Sequence, residues 1–341
     1  MKYLISTFDG LGDGVIYYPV LKSLGMNNPK DVFYCTSNIF FSDEDVLDRL
    51  KLPHNIKFVS EEFRKFPQNK WQIISIFLQK ERIDRVINLR YIGKKFEKDY
   101  FDFKKQISSS GMGVAFFDSE DISFNKKALN VRQIILKICE KAIDRQIVLN
   151  YSILKDIFPV SQKKNYIFVN MHSRGDFKLW NINKWTEIIS SMVFLGKVVR
   201  IYGGYNDKEK EYVRGVLGNL SEVARKDVEV VFANNVLDLI SFIQEAKVLI
   251  SVDSGLVHLA DALGVESIGV YITTSPQMWG GVTEKFYFVK SKHLSTCLNF
   301  YPQFGMCMNH KKKCDEVGGE NDDVDVKAIS SIVDRIYEEK N

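Results

Sequence analysis

Short apolar runs rich in β-branched and aromatic residues alternate along this chain with longer segments whose apolar positions recur every three or four residues. The first pattern predicts strands and the second helices, and their alternation predicts an α/β protein with mostly parallel sheets. In the first half, strands are predicted at residues 3–7, 31–36, 55–60, 84–90 and 113–117, with helices at 16–24, 71–80 and 130–141. The pattern breaks at Pro159 and turns polar through Ser161-Gln162-Lys163-Lys164, which predicts a linker within 156–164. The alternation then restarts. Strands are predicted at 166–171, 197–203, 228–233, 248–252 and 267–272, and helices at 183–194, 207–217, 237–245 and 256–263. A last helix carries Ile329, Ile332, Val333 and Ile336 at helical spacing, a stripe that needs a surface to cover.

This organisation predicts a Rossmann-like domain over 1–158 and a second over 165–322. The helix in 323–341 is expected to pack back on the first domain. A length of 341 residues suits two domains, and 45% apolar with 26% charged residues is ordinary for a globular protein. A formal charge of +4 gives no argument for a nucleic-acid partner, although local basic patches can still meet an anionic substrate. The N-terminal stretch reaches Asp9 and its glycines too soon for a signal peptide, and no segment approaches the roughly 20 apolar residues that span a bilayer. Of the five cysteines, Cys35 and Cys139 lie in apolar periodic stretches as buried thiols would. A reducing, cytoplasmic setting is the expectation.

Chemistry concentrates in three places. The first is Asp9-Gly10-Leu11-Gly12-Asp13-Gly14-Val15, after the first strand. Glycines let the backbone turn sharply there and let a ligand come close. A dinucleotide fingerprint fails twice: Val15 takes the third glycine position, and no acidic residue ends the second strand, which reads Tyr34-Cys35-Thr36-Ser37. What remains is the Asp13 carboxylate at the carboxyl end of a parallel strand, either functional or a helix cap. The second place is Asn170-Met171-His172-Ser173-Arg174-Gly175-Asp176-Phe177-Lys178-Leu179-Trp180, followed by Trp185. Arg174, as a fork, and Lys178, as a point charge, can meet a diphosphate; the bland alternative is a solvated basic loop with two core tryptophans. The third runs from Asp253 through Ser254, Gly255, Leu256 and His258 to Gly264, where a strand ends and a helix begins on small residues that expose its first amides. Such an end is a ready anion site, with His258 one turn in.

Together these stretches resemble glycosyltransferase family 9, which includes the lipopolysaccharide heptosyltransferases. Gly12-Asp13-Gly14-Val15-Ile16, Pro19 and Leu24 look like the family's N-terminal motif, and Lys178-Leu179-Trp180 with Trp185 like its lysine–tryptophan motif. Asp253-Ser254-Gly255-Leu256-Val257-His258-Leu259 with Ala262-Leu263-Gly264 is the most specific, and Val270-Tyr271, Thr274-Ser275-Pro276 and Trp279 match the loop that follows it. The resemblance implies a GT-B fold, two Rossmann-like doubly wound domains facing a central cleft. It also implies inverting, metal-independent transfer from a nucleotide-diphosphate sugar, ADP-heptose being the usual donor, to a glycan, lipopolysaccharide-core or protein acceptor. By the same resemblance Asp13 is the general base, and Lys178 holds the donor phosphates. Asp253 contacts the donor sugar, while Ser254, Gly255 and His258 face the diphosphate, with Arg174 and Leu256 completing the donor side. Asp207 stands nearest the family's ribose-reading glutamate, one methylene shorter. Gly12, Gly14 and Arg90 are assigned to the acceptor. No cofactor and no nucleic acid are expected, and peripheral contact with the inner face of the membrane is implied.

Two further patterns bear on metal binding. Asp43–Asp45 and Asp323–Asp325 have the spacing of a metal-binding Asp-x-Asp, but they sit in acidic helix-start or tail segments and read as caps and solvated charge. Cys297, Cys307, His310 and Cys314 could close a tetrahedral zinc site, yet a tight C-x2-C pair is missing, and reduced cysteines are the favoured reading. The rival functions are a sugar-nucleotide epimerase of the same fold, which needs no acceptor, and a catalytically silent sugar-nucleotide-binding subunit.

Overall fold

Among the described residues, alternating strands and α-helices build the first half of the chain: β1 (Lys2–Ser6), α1 (Leu11–Asn27), β2 (Val32–Thr36), α2 (Glu44–Leu50), β3 (Ile56–Val59), α3 (Trp71–Glu81), β4 (Arg85–Asn88), α4 (Lys98–Ser109), β5 (Ala115–Phe117) and α5 (Val131–Ile143). They belong to a computed structural model that describes the chain apart from residues 8–9, 37, 60–70, 90–97, 122–128, 152, 160–161, 296–299, 302–305, 308–323 and 340–341. Contacts divide the chain into two compact units, Met1–Asn150 and Tyr151–Asn341.

In the first unit the strands lie in the order β3-β2-β1-β4-β5, all parallel. Every predicted strand of this half is found. α1 is apolar almost all round, and Val15, Ile16, Tyr17, Tyr18, Val20, Leu21 and Leu24 are buried, as a central helix requires. It starts at Leu11, well before the predicted start at residue 16, so Asp13 lies in its first turn rather than in a loop. Pro19 sits inside this helix, where it removes one backbone donor. Cys35 and Cys139 are buried free thiols, as expected, and burial pushes both thiols well above their ordinary pKa.

The second unit continues with α6 (Ile153–Ile157), β6 (Tyr166–Asn170), α7 (Ile182–Phe194), β7 (Val198–Tyr202), α8 (Asp207–Asn219), α9 (Glu222–Arg225), β8 (Val228–Val231), α10 (Val236–Glu245), β9 (Val248–Val252), α11 (Gly255–Ala262), β10 (Glu266–Tyr271), α12 (Pro276–Trp279) and β11 (Phe286–Lys290). A short antiparallel pair, β12 (Phe300–Tyr301) and β13 (Met306–Cys307), and the helix α13 (Val326–Glu338) follow. The main sheet has the order β11-β10-β9-β6-β7-β8 and is parallel throughout. All five residues of β6 and of β9 are buried, which explains their unbroken apolar runs: helices cover both faces of these strands. The strand order reverses between β6 and β9, the point where open α/β sheets bind ligands at the carboxyl ends of their strands. β11 is an edge strand absent from the sequence-based expectations, although its Phe286-Tyr287-Phe288-Val289 run is aromatic and apolar as a strand requires.

The contact division differs from the sequence-based one in two respects. The division falls after Asn150, and the stretch expected to link the domains is tied to the second unit instead. Lys164 N–H donates to Glu245 O at 2.7 Å and Lys163 Nζ to Ala246 O at 2.9 Å. The stripe of the terminal helix packs within the second unit. Val326, Ile329, Val333 and Ile336 join the core of the second, against α7, β10 and β11. A stripe of this kind is satisfied by the nearest uncovered apolar surface, and the face of its own sheet supplies one.

Candidate active site

The site is built at the strand-order reversal of the second sheet, from the segment after β6 and the start of α11. Asp253 follows β9 directly and is only 4% exposed. Its Oδ2 accepts from Thr274 Oγ1 at 2.6 Å and lies 2.7 Å from Lys178 Nζ. Its backbone carbonyl accepts from Ser173 Oγ at 2.9 Å. One carboxylate therefore gathers the segment after β6 and the loop after β10. Thr273 Oγ1 adds a bond to Phe177 O at 2.9 Å, which fixes the residue before Lys178.

Ser254 caps α11, its Oγ accepting from Leu256 N–H at 3.2 Å. The same oxygen receives Asn170 Nδ2 at 3.0 Å and lies 2.9 Å from Ser251 Oγ. Asn170 Nδ2 also donates to Ser251 Oγ at 2.9 Å and to His172 O at 3.0 Å. These bonds lock the end of β6 to the start of α11, whose N-terminal dipole favours an anion. Gly255 is the first residue of that helix, and His258 follows in its first turn, 6% exposed.

His172, immediately beyond β6, donates its Nε2–H to Tyr202 O at 3.1 Å. Burial lowers its pKa against the opposing pull of Glu209 and that carbonyl bond, so the ring is held towards its neutral form. Beside it the backbone turns at Gly204 with φ +87°, a conformation that favours glycine; a Cβ there would stand 2.4 Å from Glu209 Cβ and 3.2 Å from His172 Nε2. Glu209 folds back over the start of α8, accepting from Tyr205 N–H at 2.6 Å, while Asp207 is exposed in the first turn of the helix.

The sequence-derived residues of the second unit thus divide. Lys178 is paired with Asp253, Ser254 caps Leu256 beside them with Gly255 opening the helix, and Arg174 lies exposed on the same segment as Lys178. Trp180 and Trp185 belong to the core, where their rings meet edge to face at 5.2 Å. The sequence alone assigns no role to Asn170, Ser173, Ser251, His172 or Thr274. Asn170, Ser173 and Thr274 act through partners 81, 80 and 21 residues away, a pairing that spacing along the chain does not reveal.

In the first unit, Asp13 is partly buried and its Oδ2 accepts from Gly10 N–H at 3.1 Å, so the cap reading has its hydrogen bond. Gly14 has a packing reason of its own: a Cβ there would stand 2.4 Å from Phe40 Cβ and 2.5 Å from Asn38 Oδ1. Gly12 is buried in the same turn. Arg90, Asp9, Cys297, His310 and Cys314 lie outside the described residues, as does the Cys307 side chain. Among the described residues no group of three or more His, Cys, Asp or Glu side chains could hold a metal, and no helix is long and apolar enough to cross a membrane.

The family model for glycosyltransferase family 9 (heptosyltransferase) matches residues 130–303, more than half the chain and all of the assembly just described. The chain belongs to glycosyltransferase family 9. Membership makes glycosyl transfer its reaction class. Its fold is also that of solved family structures. The E. coli heptosyltransferase WaaC, determined with ADP, superposes with a TM-score of 0.63 at 16% identity, covering 98% of this chain and 100% of that one. E. coli ADP-heptose lipopolysaccharide heptosyltransferase II gives 0.55 at 18% identity, over 84% and 90%. TibC, an iron-containing dodecameric glycosyltransferase of enterotoxigenic E. coli, gives 0.60 at 11%, over 100% of this chain and 77% of its own. At such identities the likeness is one of fold, GT-B. No curated protein is similar enough in sequence to count as a relative.

Proposed function

We propose that this family 9 enzyme transfers a sugar, heptose being favoured, from a nucleotide-diphosphate donor such as ADP-heptose to a glycan, lipopolysaccharide-core or protein acceptor, with inversion and without a metal ion. The observation that carries the reading is Lys178 beside the Ser254-capped end of α11 at the strand-order reversal of the second sheet. A departing nucleotide diphosphate gains negative charge as the glycosidic bond breaks. An ammonium group and a helix amide end are fixed donors that stabilise that charge without reorganising. Asp253 holds Lys178 in place and offers its carboxylate to the donor sugar, while Asp13 takes the proton of the attacking hydroxyl. Arg174 and His258 flank the diphosphate in this assignment, and Asp207 reads the ribose.

Release of nucleoside diphosphate from ADP-heptose, measured with and without a panel of lipopolysaccharide-core, oligosaccharide and protein acceptors, tests the proposal. Acceptor-dependent release is expected. Donor conversion that ignores the acceptor would establish an epimerase instead, and binding with no release under any condition would establish a silent subunit.

A further inference from the structure

Beyond the diphosphate site, an aromatic side chain lies at the carboxyl edge of the second sheet with no core role. Phe232 follows β8 directly and is 53% exposed. Gly203, the residue after β7, donates its N–H to Val231 O at 2.8 Å, which sets Gly203 and Phe232 side by side at the ends of neighbouring strands. A Cβ on Gly203 would stand 2.3 Å from Cε1 of that ring, 2.6 Å from Cζ and 2.8 Å from Cδ1. The two neighbours of Cε1 are only slightly farther than Cε1 itself, as for an atom standing over the ring face rather than at its rim. The ring is therefore laid flat across a glycine that leaves room for it. A lone exposed phenylalanine needs no explanation in itself. This one is held flat and offers its other face at the edge of the sheet where ligands bind.

From these placements we infer that Phe232 is the stacking platform for the nucleobase of the donor, and that Gly203 is present to seat the ring. The inference rests on the proposed function, which puts the diphosphate at the ends of β6 and β9. From there a nucleotide sugar runs along the sheet edge in two directions. On one side, Thr273 and Thr274, just past β10, already brace Phe177 and Asp253, the carboxylate assigned to the donor sugar. On the other side stand the ends of β7 and β8, with Gly203, the turn at Gly204 and Phe232. The nucleoside belongs there. Stacking on an aromatic face tolerates any base, because every base has a π-face, and its loss weakens binding severalfold to about a hundredfold. The platform fixes where the base lies, and edge contacts remain free to choose which base.

The test is calorimetric titration of ADP, UDP, GDP and CDP, and separately of inorganic pyrophosphate, which has no base to stack. Phe232→Ala should raise the Kd of the best nucleotide roughly ten- to a hundredfold while leaving pyrophosphate binding unchanged. Phe232→Trp should keep nucleotide binding near wild type. Gly203→Ala retains the ring but displaces it, and should reproduce the Phe232→Ala result. Phe232→Ala binding within twofold of wild type for every nucleotide overturns the inference and leaves the proposed function standing. Equal weakening for nucleotide and pyrophosphate also overturns it, because that pattern reports a disturbed phosphate site. Wild-type protein that binds none of the nucleotides removes the proposed function, and this inference with it.

Discussion

Lys178 and Asp253 are each other's nearest charged partner at 2.7 Å, with Asp253 deeply buried. Removing one member of such a pair leaves the other buried and uncompensated, so Lys178→Ala should cost stability as well as catalysis. A lower Tm is expected, together with a kcat/KM reduced roughly ten- to a hundredfold, from a lost charge-assisted contact of about 1.5–3 kcal/mol. Because the charge it meets grows as the bond breaks, kcat should fall and not KM alone rise. Unchanged kinetics would return Lys178 to the solvated-surface reading. Asp13 presents the opposite case. Its observed bond, from Gly10 N–H to Oδ2, can be accepted equally well by an asparagine oxygen. Asp13→Asn should therefore keep the Tm and donor binding while lowering transfer by about 10²–10⁴-fold, if the carboxylate is the base. Transfer at the wild-type rate would show that capping is all Asp13 does.

At the scale of elements, α11 and α13 show how differently helices are held. α11 is buried against β9 and β10 and is also pinned by polar bonds at both ends: Ser254 at its start is tied to Asn170 and Ser251, and Asp261 near its end accepts from Val282 N–H, Thr283 N–H and Thr283 Oγ1. Such bonds hold the N-terminal amides in a defined place, as an anion site requires. α13 is held by apolar packing, with Ile329 and Val333 fully buried against α7 and the sheet. Ile329→Ala should destabilise the second unit by about 2–5 kcal/mol, the usual cost of emptying a packed isoleucine site. Chemical denaturation measures it. A change under about 1 kcal/mol would mean that α13 is not part of that core.

For the molecule as a whole, two parallel-sheet units follow from a chain in which strands and helices alternate twice. The proposed division of labour, with donor recognition in the second unit and proton abstraction in the first, makes a prediction about metals. Lys178, Arg174 and the amide end of α11 supply positive charge to the diphosphate, so turnover should survive chelation of Mg2+ and Mn2+. Loss of activity in EDTA that Mg2+ restores would refute this. A Tm measured in EDTA beside the assay separates catalysis from any metal bound elsewhere in the chain.

Much of this was legible in the sequence for a simple reason: strands buried on both faces must be apolar throughout, and helices between them must show a stripe. Those demands are local, so β1 to β10 and the start of α11 could be read directly from residue spacing. Asp253 could be placed at a strand end and Ser254 at a helix start in the same way, and Lys178 on the segment after β6. Tertiary structure alone decided the rest. It made Lys178 a partner of Asp253, placed Asp13 inside the first turn of α1, and spent the stripe of α13 on its own unit. It also laid Phe232 over Gly203. Each of these depends on which distant segments the parallel crossovers bring side by side, and the order of strands in a sheet is not written in the spacing of residues along any one of them.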